Sequence, residues 1–364
     1  MVPAIQVGTA RSRPGQIVYG VFDAVPLPTG NTETLPVIIA QGASGTGPVL
    51  WLTANIHGGE YNGMAVIHQL ITPELIKRLT GAIVAVPSLN PAGLRTGERR
   101  AYYLRSKDPN RLFPAFNNSH APFPPAMEQA YARLFERIDA TADFLIDLHD
   151  YGLDALPFVF RDPVFYREPR DKPGAHKLHG TLGEMLRALG LTIINEYLSD
   201  EYLKLDLHRS VSGSTLNLAR IPAATVEVGG QQRVNTTHVR AVAAGIRNVL
   251  RWARMLPGAR EPVNEVTVID PGYPVRRITH PRVPVACLVQ FLVEPGQVVV
   301  AGDAVAHMAD IYGRPVGTSD GLLRSEYDGF VIGLFPGLTF YPNDPVMGLA
   351  VRDTSDRVIR LPEN

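Results

Sequence analysis

The chain has 364 residues, more than one typical domain, which leaves room for a large α/β unit and a smaller one. Hydrophobic residues at 45% and charged residues at 19% exclude a disordered chain or a coiled coil. Lysine plus arginine equals aspartate plus glutamate, 35 each, so no global field draws a polyanion and the balance argues against nucleic acid as a partner.

Residues 1–15 lack the apolar core of a signal peptide, and no run approaches the ~18 apolar residues of a membrane helix. The single cysteine, Cys287, lies in the apolar run VACLVQFLV, where a packed thiol is expected. A cytoplasmic location without a membrane partner is the expectation, and a homo-oligomer is compatible with it.

In chain order, QIVYGVFDAV and TLPVIIAQG flank a Pro, Gly and Asn cluster at 26–31 and predict an antiparallel hairpin at an outer edge of the sheet. VLWLTANI is too short for a helix and predicts a buried strand ending in the polar break HGGE. A helix is expected over 62–79 with a kink at Pro73, and Gly81 precedes a strand at IVAVPSLN. Segment 91–125 shows no periodicity and is expected to be an irregular binding loop. A helix at 125–140 leads into the strand DFLIDLHD, a further helix spans 174–190, LTIIN and LNLAR are strand-like, ATVEVGG is a strand, and a long helix covers 236–256. This alternation predicts a mixed α/β sheet with helices on both faces, whose ligands gather beyond the carboxyl ends of the strands.

Pro257 and Gly258 stop the last helix, and from Glu265 onward Val, Pro and Gly dominate. The expected organisation is therefore a catalytic domain over 1–260, including the N-terminal β-hairpin region 1–47, and a C-terminal all-β accessory domain of barrel or sandwich type over 261–364.

Zinc at a catalytic site takes three nitrogen, sulfur or carboxylate ligands and keeps a fourth position open. His57 and Glu60 offer two, at the point where an apolar strand runs into Gly58-Gly59 and the backbone is free to turn both side chains inward. His149 is the third candidate, also at a strand end, with Asp147 two residues earlier on the same side and able to orient its imidazole. Read alone, His149 is equally compatible with a surface loop; the repeated strand-end placement favours the metal. Glu227 in ATVEVGG is a carboxylate among apolar neighbours, costly unless paired or employed. As a general base it would take a proton from metal-activated water; the competing reading pairs it with a neighbouring arginine. Arg95, Arg99, Arg100, Arg105 and Arg111 crowd the irregular segment, which suits an anionic substrate, while some of the five serve as ordinary solvated charges.

The motifs NIHGGEYNG, SLNPAGLRTGERR, DPNRLFP, DLHD and IPAATVEVGG, in this order over roughly 48–255, resemble the succinylglutamate desuccinylase and aspartoacylase family, relatives of the zinc carboxypeptidases. The resemblance implies a zinc-carboxypeptidase-like α/β fold with one zinc per chain on His57, Glu60 and His149, and with Glu227 as base. It also implies that Asn110 and Arg111 grip a substrate carboxylate, and that an arginine polarises the scissile carbonyl. Gly97-Glu98-Arg99 fits that last position best, but Arg100 stays open because the stretch from Arg99 to Asn110 is longer than in aspartoacylase. Where the family has Asp-Leu-Asn-Arg, this chain has Asp108-Pro109-Asn110-Arg111. The C-terminal region resembles a lipoyl-like or biotin-carrier-like accessory domain without a lysine near Asp328-Gly329 to carry a swinging cofactor.

The expected function is zinc-dependent hydrolysis of the amide bond of a small, carboxylate-bearing N-acyl amino acid. The alternatives are a metallocarboxypeptidase acting on peptides, which an accessory domain over the mouth would exclude, and a zinc protein that binds without turnover. Structural zinc is normally closed by four protein ligands, whereas three converge here. His176 and His179 form a weaker candidate metal pair on a predicted helix.

Overall fold

The computed structural model describes residues 4–104, 107–116 and 124–362. Its frame is a thirteen-stranded mixed sheet. The predicted hairpin forms its edge: β1 (Ile17–Pro26) pairs antiparallel with β2 (Thr32–Gln41), which pairs with β4 (Ala82–Val86). Inward from there, β3 (Val49–Ala54), β5 (Phe144–His149) and β8 (Ala223–Glu227) run parallel, so the ends bearing His57, His149 and Glu227 open on the same side. All six residues of β3 are buried, as its unbroken apolar run required.

The predicted helix over 62–79 is two helices, α1 (Asn62–Leu70) and α2 (Pro73–Arg78). Proline disfavours helical backbone in the residue before it; Thr72 is extended, and its side chain accepts from the Leu75 amide to start a new helix. Segment 91–125 is less irregular than expected. Pro91–Thr96 forms α3, started by the Asn90 side chain and closed by Gly97 at φ 70°, and Pro109–Arg111 makes a single 3₁₀ turn. The helix α4 (Ala126–Thr141) and the helix α5 (Lys172–Leu189) lie where periodicity put them.

Among the strands that escaped the sequence reading are β6 (Phe158–Arg161), antiparallel to β8, and short ones at Asp154–Ala155 and Val164–Tyr166. β7 is the expected LTIIN strand, Thr192–Asn195, and α6 (Ser199–Lys204) follows it. LNLAR is not a strand: its first two residues end α7 (Val211–Asn217), a helix buried along its whole length and therefore lacking a polar face to betray its period. The last helix, α8, spans Thr236–Trp252 and packs on α1 and α5, while α4 packs on α7.

Beyond Trp252 the described residues contain strands and no helix. β9 (Val275–Thr279), β10 (Gly329–Leu334) and β11 (Met347–Arg352) extend the main sheet, joined to β7 through the pairing of Asn195 with Arg276. A separate four-stranded sheet surrounds a second apolar cluster that includes Val289, Val305 and Met308, with Cys287 a buried free thiol in its Cys287–Phe291 strand.

Candidate metal and substrate site

The loop after β3 is shaped by one buried side chain. Asn55 adopts a left-handed backbone, φ 52°, and its Nδ2 donates to the carbonyls of His57, Gly58 and Glu60 at 3.1, 3.2 and 2.9 Å. Ser88 Oγ donates to Asn55 Oδ1 at 2.7 Å and fixes the amide. Gly58 is required by space, since a Cβ there would lie 2.1 Å from the Gly93 carbonyl carbon. Asn90 ties the loop to α3, donating to the Ile56 carbonyl while accepting from the Gly93 amide.

His57, Glu60 and His149 are buried and offer ligand atoms that all lie within 4.8 Å of one another. Glu60 faces both imidazoles, Oε1 lying 2.7 Å from His57 Nδ1 and Oε2 2.9 Å from His149 Nδ1. The far nitrogens are each held by an aspartate, His57 Nε2 by Asp108 at 3.0 Å and His149 Nε2 by Asp147 at 2.7 Å; Thr53 Oγ1 donates to Asp147 in turn. Asp147 thus occupies the orienting position expected of it, while Asp108 was read only as part of a motif. Burial opposes the charge on Glu60, yet His57 and His149 hold its pKa well below the carboxylate range. Burial likewise opposes a charged His149, and Asp147 and Glu60 outweigh it and raise its pKa well above the usual value. One carboxylate between two imidazoles that both turn Nδ1 toward it, with aspartates fixing both rings from behind, is a donor set that fits a zinc-type ion.

Glu227 lines the same cavity, which has a volume of about 500 Å³. Its Oε2 is buried without a hydrogen-bond partner, and burial, with the Glu60 charge adding and His149 opposing, pushes its pKa up to about 8. No ion pair to an arginine holds it among the described residues. Asp150, next to His149, is raised to about 7, chiefly by burial, and accepts from the Asn62 backbone and side chain.

The structure separates the arginine candidates. Arg99 and Arg100 are both exposed, but Arg99 lines the cavity, reaches Asp108 through Nη2 at 2.8 Å and lies 3.6 Å from Glu60, whereas Arg100 is not part of the lining. Arg95 pairs with Glu33, away from the cavity, and Arg105 lies outside the described residues. Arg111 lines the cavity with its Nε donating to the Leu205 carbonyl at 2.7 Å and NH1 to the Asn110 carbonyl. Asn110 is buried in the wall, accepting from the Val211 amide, with Nδ2 3.5 Å from His149 Nε2. His176 and His179 join no group of three possible ligands among the described residues.

The far wall holds charges that the sequence reading missed: Asp162, Glu196 and Arg277. The signal that found His149 and Glu227, a polar residue closing an apolar strand, also applies to Asp162 after FVFR and to Glu196 after TIIN. Phe335 and Pro336 complete this side of the cavity.

Comparison with known proteins agrees with the motif reading. Residues 46–159 match the model of the Succinylglutamate desuccinylase/Aspartoacylase catalytic domain. The N-alpha-acetyl-L-2,4-diaminobutyric acid deacetylase of Halomonas elongata is 28% identical over 142 residues, which are 36% of this chain and 39% of that protein. Of solved structures, a succinylglutamate desuccinylase from Silicibacter sp. TM1040 superposes with TM-score 0.72 at 20% identity over 97% of each chain. The product-bound ectoine utilization protein EutE of Ruegeria pomeroyi does so with TM-score 0.71 at 20% identity, over 96% of this chain and 97% of that one. The fold is therefore shared along nearly the whole length.

Proposed function

We propose that this chain, which carries the succinylglutamate desuccinylase/aspartoacylase catalytic domain, is a zinc-dependent deacylase hydrolysing the amide bond of a small N-acyl amino acid. The observation that carries the reading is the convergence of His57, Glu60 and His149 beside a buried, unpartnered Glu227 in one cavity. The acyl-amino-acid substrate named for the Halomonas relative supports the reaction class.

In this reading His57, Glu60 and His149 hold one zinc per chain, with Asp108 and Asp147 fixing the ring orientations. Zinc at such a donor set supplies Lewis acidity toward a carbonyl oxygen and lowers the pKa of water. Glu227 accepts the proton of the attacking water at Oε2, which no other group engages, and returns it to the departing nitrogen. Arg99 presents positive charge where the carbonyl oxygen gathers negative charge, and its bond to Asp108 couples its position to that of His57. Arg111 keeps part of its guanidinium fork for the substrate carboxylate while Asn110 braces the wall behind it.

Residues 261–364 act as an accessory unit that walls the cavity. Arg277, Phe335 and Pro336 from this unit line it, which favours a small molecule over a peptide chain. Purified protein supplied with zinc is expected to deacylate N-acetyl, N-succinyl or N-formyl amino acids and to leave a carboxypeptidase peptide intact. Glu227→Gln should retain zinc by elemental analysis while kcat falls at least ~100-fold. Loss of zinc in that variant would make Glu227 a ligand, and unchanged kcat would end its role as base.

A further inference from the structure

Loops from the ends of β3, β5 and β8 meet at the cavity, and one fully buried side chain on the first of them reaches both of the others. Asn62 opens α1 two residues after Glu60 and does not line the cavity. Its backbone amide donates to Asp150 Oδ2 at 3.1 Å and its Nδ2 to Asp150 Oδ1 at 2.9 Å, which holds the residue next to His149. The same Nδ2 donates to the carbonyls of Gly230 and Arg233, both at 3.1 Å, and Oδ1 accepts from the Asn235 amide at 2.7 Å. Gly230, Arg233 and Asn235 belong to the turn after Glu227, and the Asn235 side chain in turn starts α8 by accepting from the Thr237 and His238 amides. Removing the Asn62 amide would leave these buried partners unpaired.

The two halves of the site depend on this joint to different degrees. The ligands have supports of their own: Asp108 holds His57, Asp147 holds His149, and the two imidazoles hold Glu60. Glu227 has no such support. Its Oε2 is without a partner, so its place is set by its backbone, and the chain continues through Gly229-Gly230, which lend no side chain to fix the turn. Main-chain bonds from Tyr151 to Gly229 and from Gln232 to Gly59 join the loops in pairs. Gln231 reaches Glu60 and the Asp150 carbonyl only at 3.5 and 3.3 Å.

We propose that Asn62 is a positioning residue that sets the base Glu227 against the metal ligands, by clamping the turn after β8 to the loops that carry Glu60 and His149. This rests on the deacylase reading and adds to it the residue that fixes the proton acceptor relative to the metal.

The test places Asn62→Ala, and Asn62→Ser as a variant that keeps a hydroxyl at the helix start, in the wild type and in Glu227→Gln. Zinc affinity by chelator competition should stay within about threefold of wild type, because Asp108 and Asp147 still orient the imidazoles. On the N-acyl amino acid that the wild type hydrolyses fastest, kcat should fall about 10- to 100-fold with KM within about threefold, the signature of a misplaced catalytic group. In the Glu227→Gln background the same substitution should cost less than about threefold, since no base remains to misplace. Amide exchange of the zinc-free variants, followed by mass spectrometry, should rise over residues 228–235 and stay unchanged over β3. A drop of equal size in both backgrounds overturns the proposal and makes Asn62 structural. Zinc affinity lowered in step with kcat overturns it in favour of ligand support, and so does an unchanged kcat in a folded variant. If neither variant folds, exchange of the wild type decides: the Asn235 amide must exchange as slowly as the first turns of α8, and a turn that exchanges like an exposed loop overturns the clamp. If the wild type turns over no N-acyl amino acid, the deacylase reading falls, while exchange of the zinc-free protein still decides the clamp.

Discussion

The two ends of the cavity are built from similar residue types and solve opposite problems. At one end, Glu60 is surrounded by His57 and His149, and each imidazole is backed by an aspartate, so the charges are matched around one central point. At the other end Glu196 is paired with Arg277, while Asp162 accepts from Tyr202 and Ser212 through one oxygen and feels Arg357 at longer range. The first arrangement asks for a metal ion that stays; the second balances its charges with arginines and hydroxyls. Resident chemistry is thus gathered at one end of a single cavity, and changes at either end should leave different signatures.

The largest effect belongs to the metal end. His149→Ala removes one of the three proposed ligands, and two protein ligands rarely hold zinc at a catalytic site, so zinc content should fall from the proposed one per chain to near zero. Activity should drop by about 10³-fold or more on every substrate. Full zinc occupancy by elemental analysis would remove His149 from the ligand set. A smaller effect is expected from Asp108→Asn, which weakens the support of His57 and frees Arg99 while leaving all three ligands in place. Loss of such a supporting carboxylate typically costs about 10- to 100-fold in metal affinity. Chelator competition is the measurement, and an unchanged affinity would reduce Asp108 to a loop anchor. Both variants should lower zinc affinity, which separates them from Asn62→Ala.

The metal end was legible in the sequence because its parts are spelled locally. His57 and Glu60 share one loop, and His149 and Glu227 each close an apolar strand; the parallel register of β3, β5 and β8 then brings them together. What remained hidden there depended on packing. Arg99 and Arg100 are neighbours of the same type, and the turn after α3 that faces one inward is a tertiary event. The far end was not legible. Asp162 and Glu196 close strands in the same way, but β6 was unrecognised and neither residue falls in a motif, so no chemistry called attention to them. Arg277 comes from the all-β region past residue 260 and reaches the cavity because β9 pairs beside β7, a long-range pairing without a local signature. Only the last two residues of α7 fall in the LNLAR run that reads as strand-like, and the rest of this fully buried helix escaped notice for a related reason: with every face covered, no polar period remained to read.

The smallest predicted effect sharpens the comparison most, because it titrates the far end alone. Asp162 has its pKa raised to about 7 by burial and by Glu196, against the lowering influence of the Tyr202 hydroxyl, Arg357 and the Ser212 hydroxyl. Those groups face it from α6, α7, the end of β7 and the C-terminal segment. A carboxyl raised in this way is neutral below about pH 7 and charged above it, whereas in the unfolded chain it is charged above about pH 4. Folding therefore takes up a proton between those values, and stability present at low pH is lost as pH rises through about 7. Between pH 6 and 8 the ionised fraction of such a group rises about tenfold, and the stability of the wild type relative to Asp162→Asn should fall by about 1 kcal/mol. Denaturant unfolding of the two proteins at both pH values is the measurement. Using a difference matters because Glu227 and Asp150 lie in the same titration range, and their effects act on both proteins and cancel. A difference that stays constant from pH 6 to 8 would mean that Asp162 does not change charge there, and the far end would then hold its charges as firmly as the metal end does.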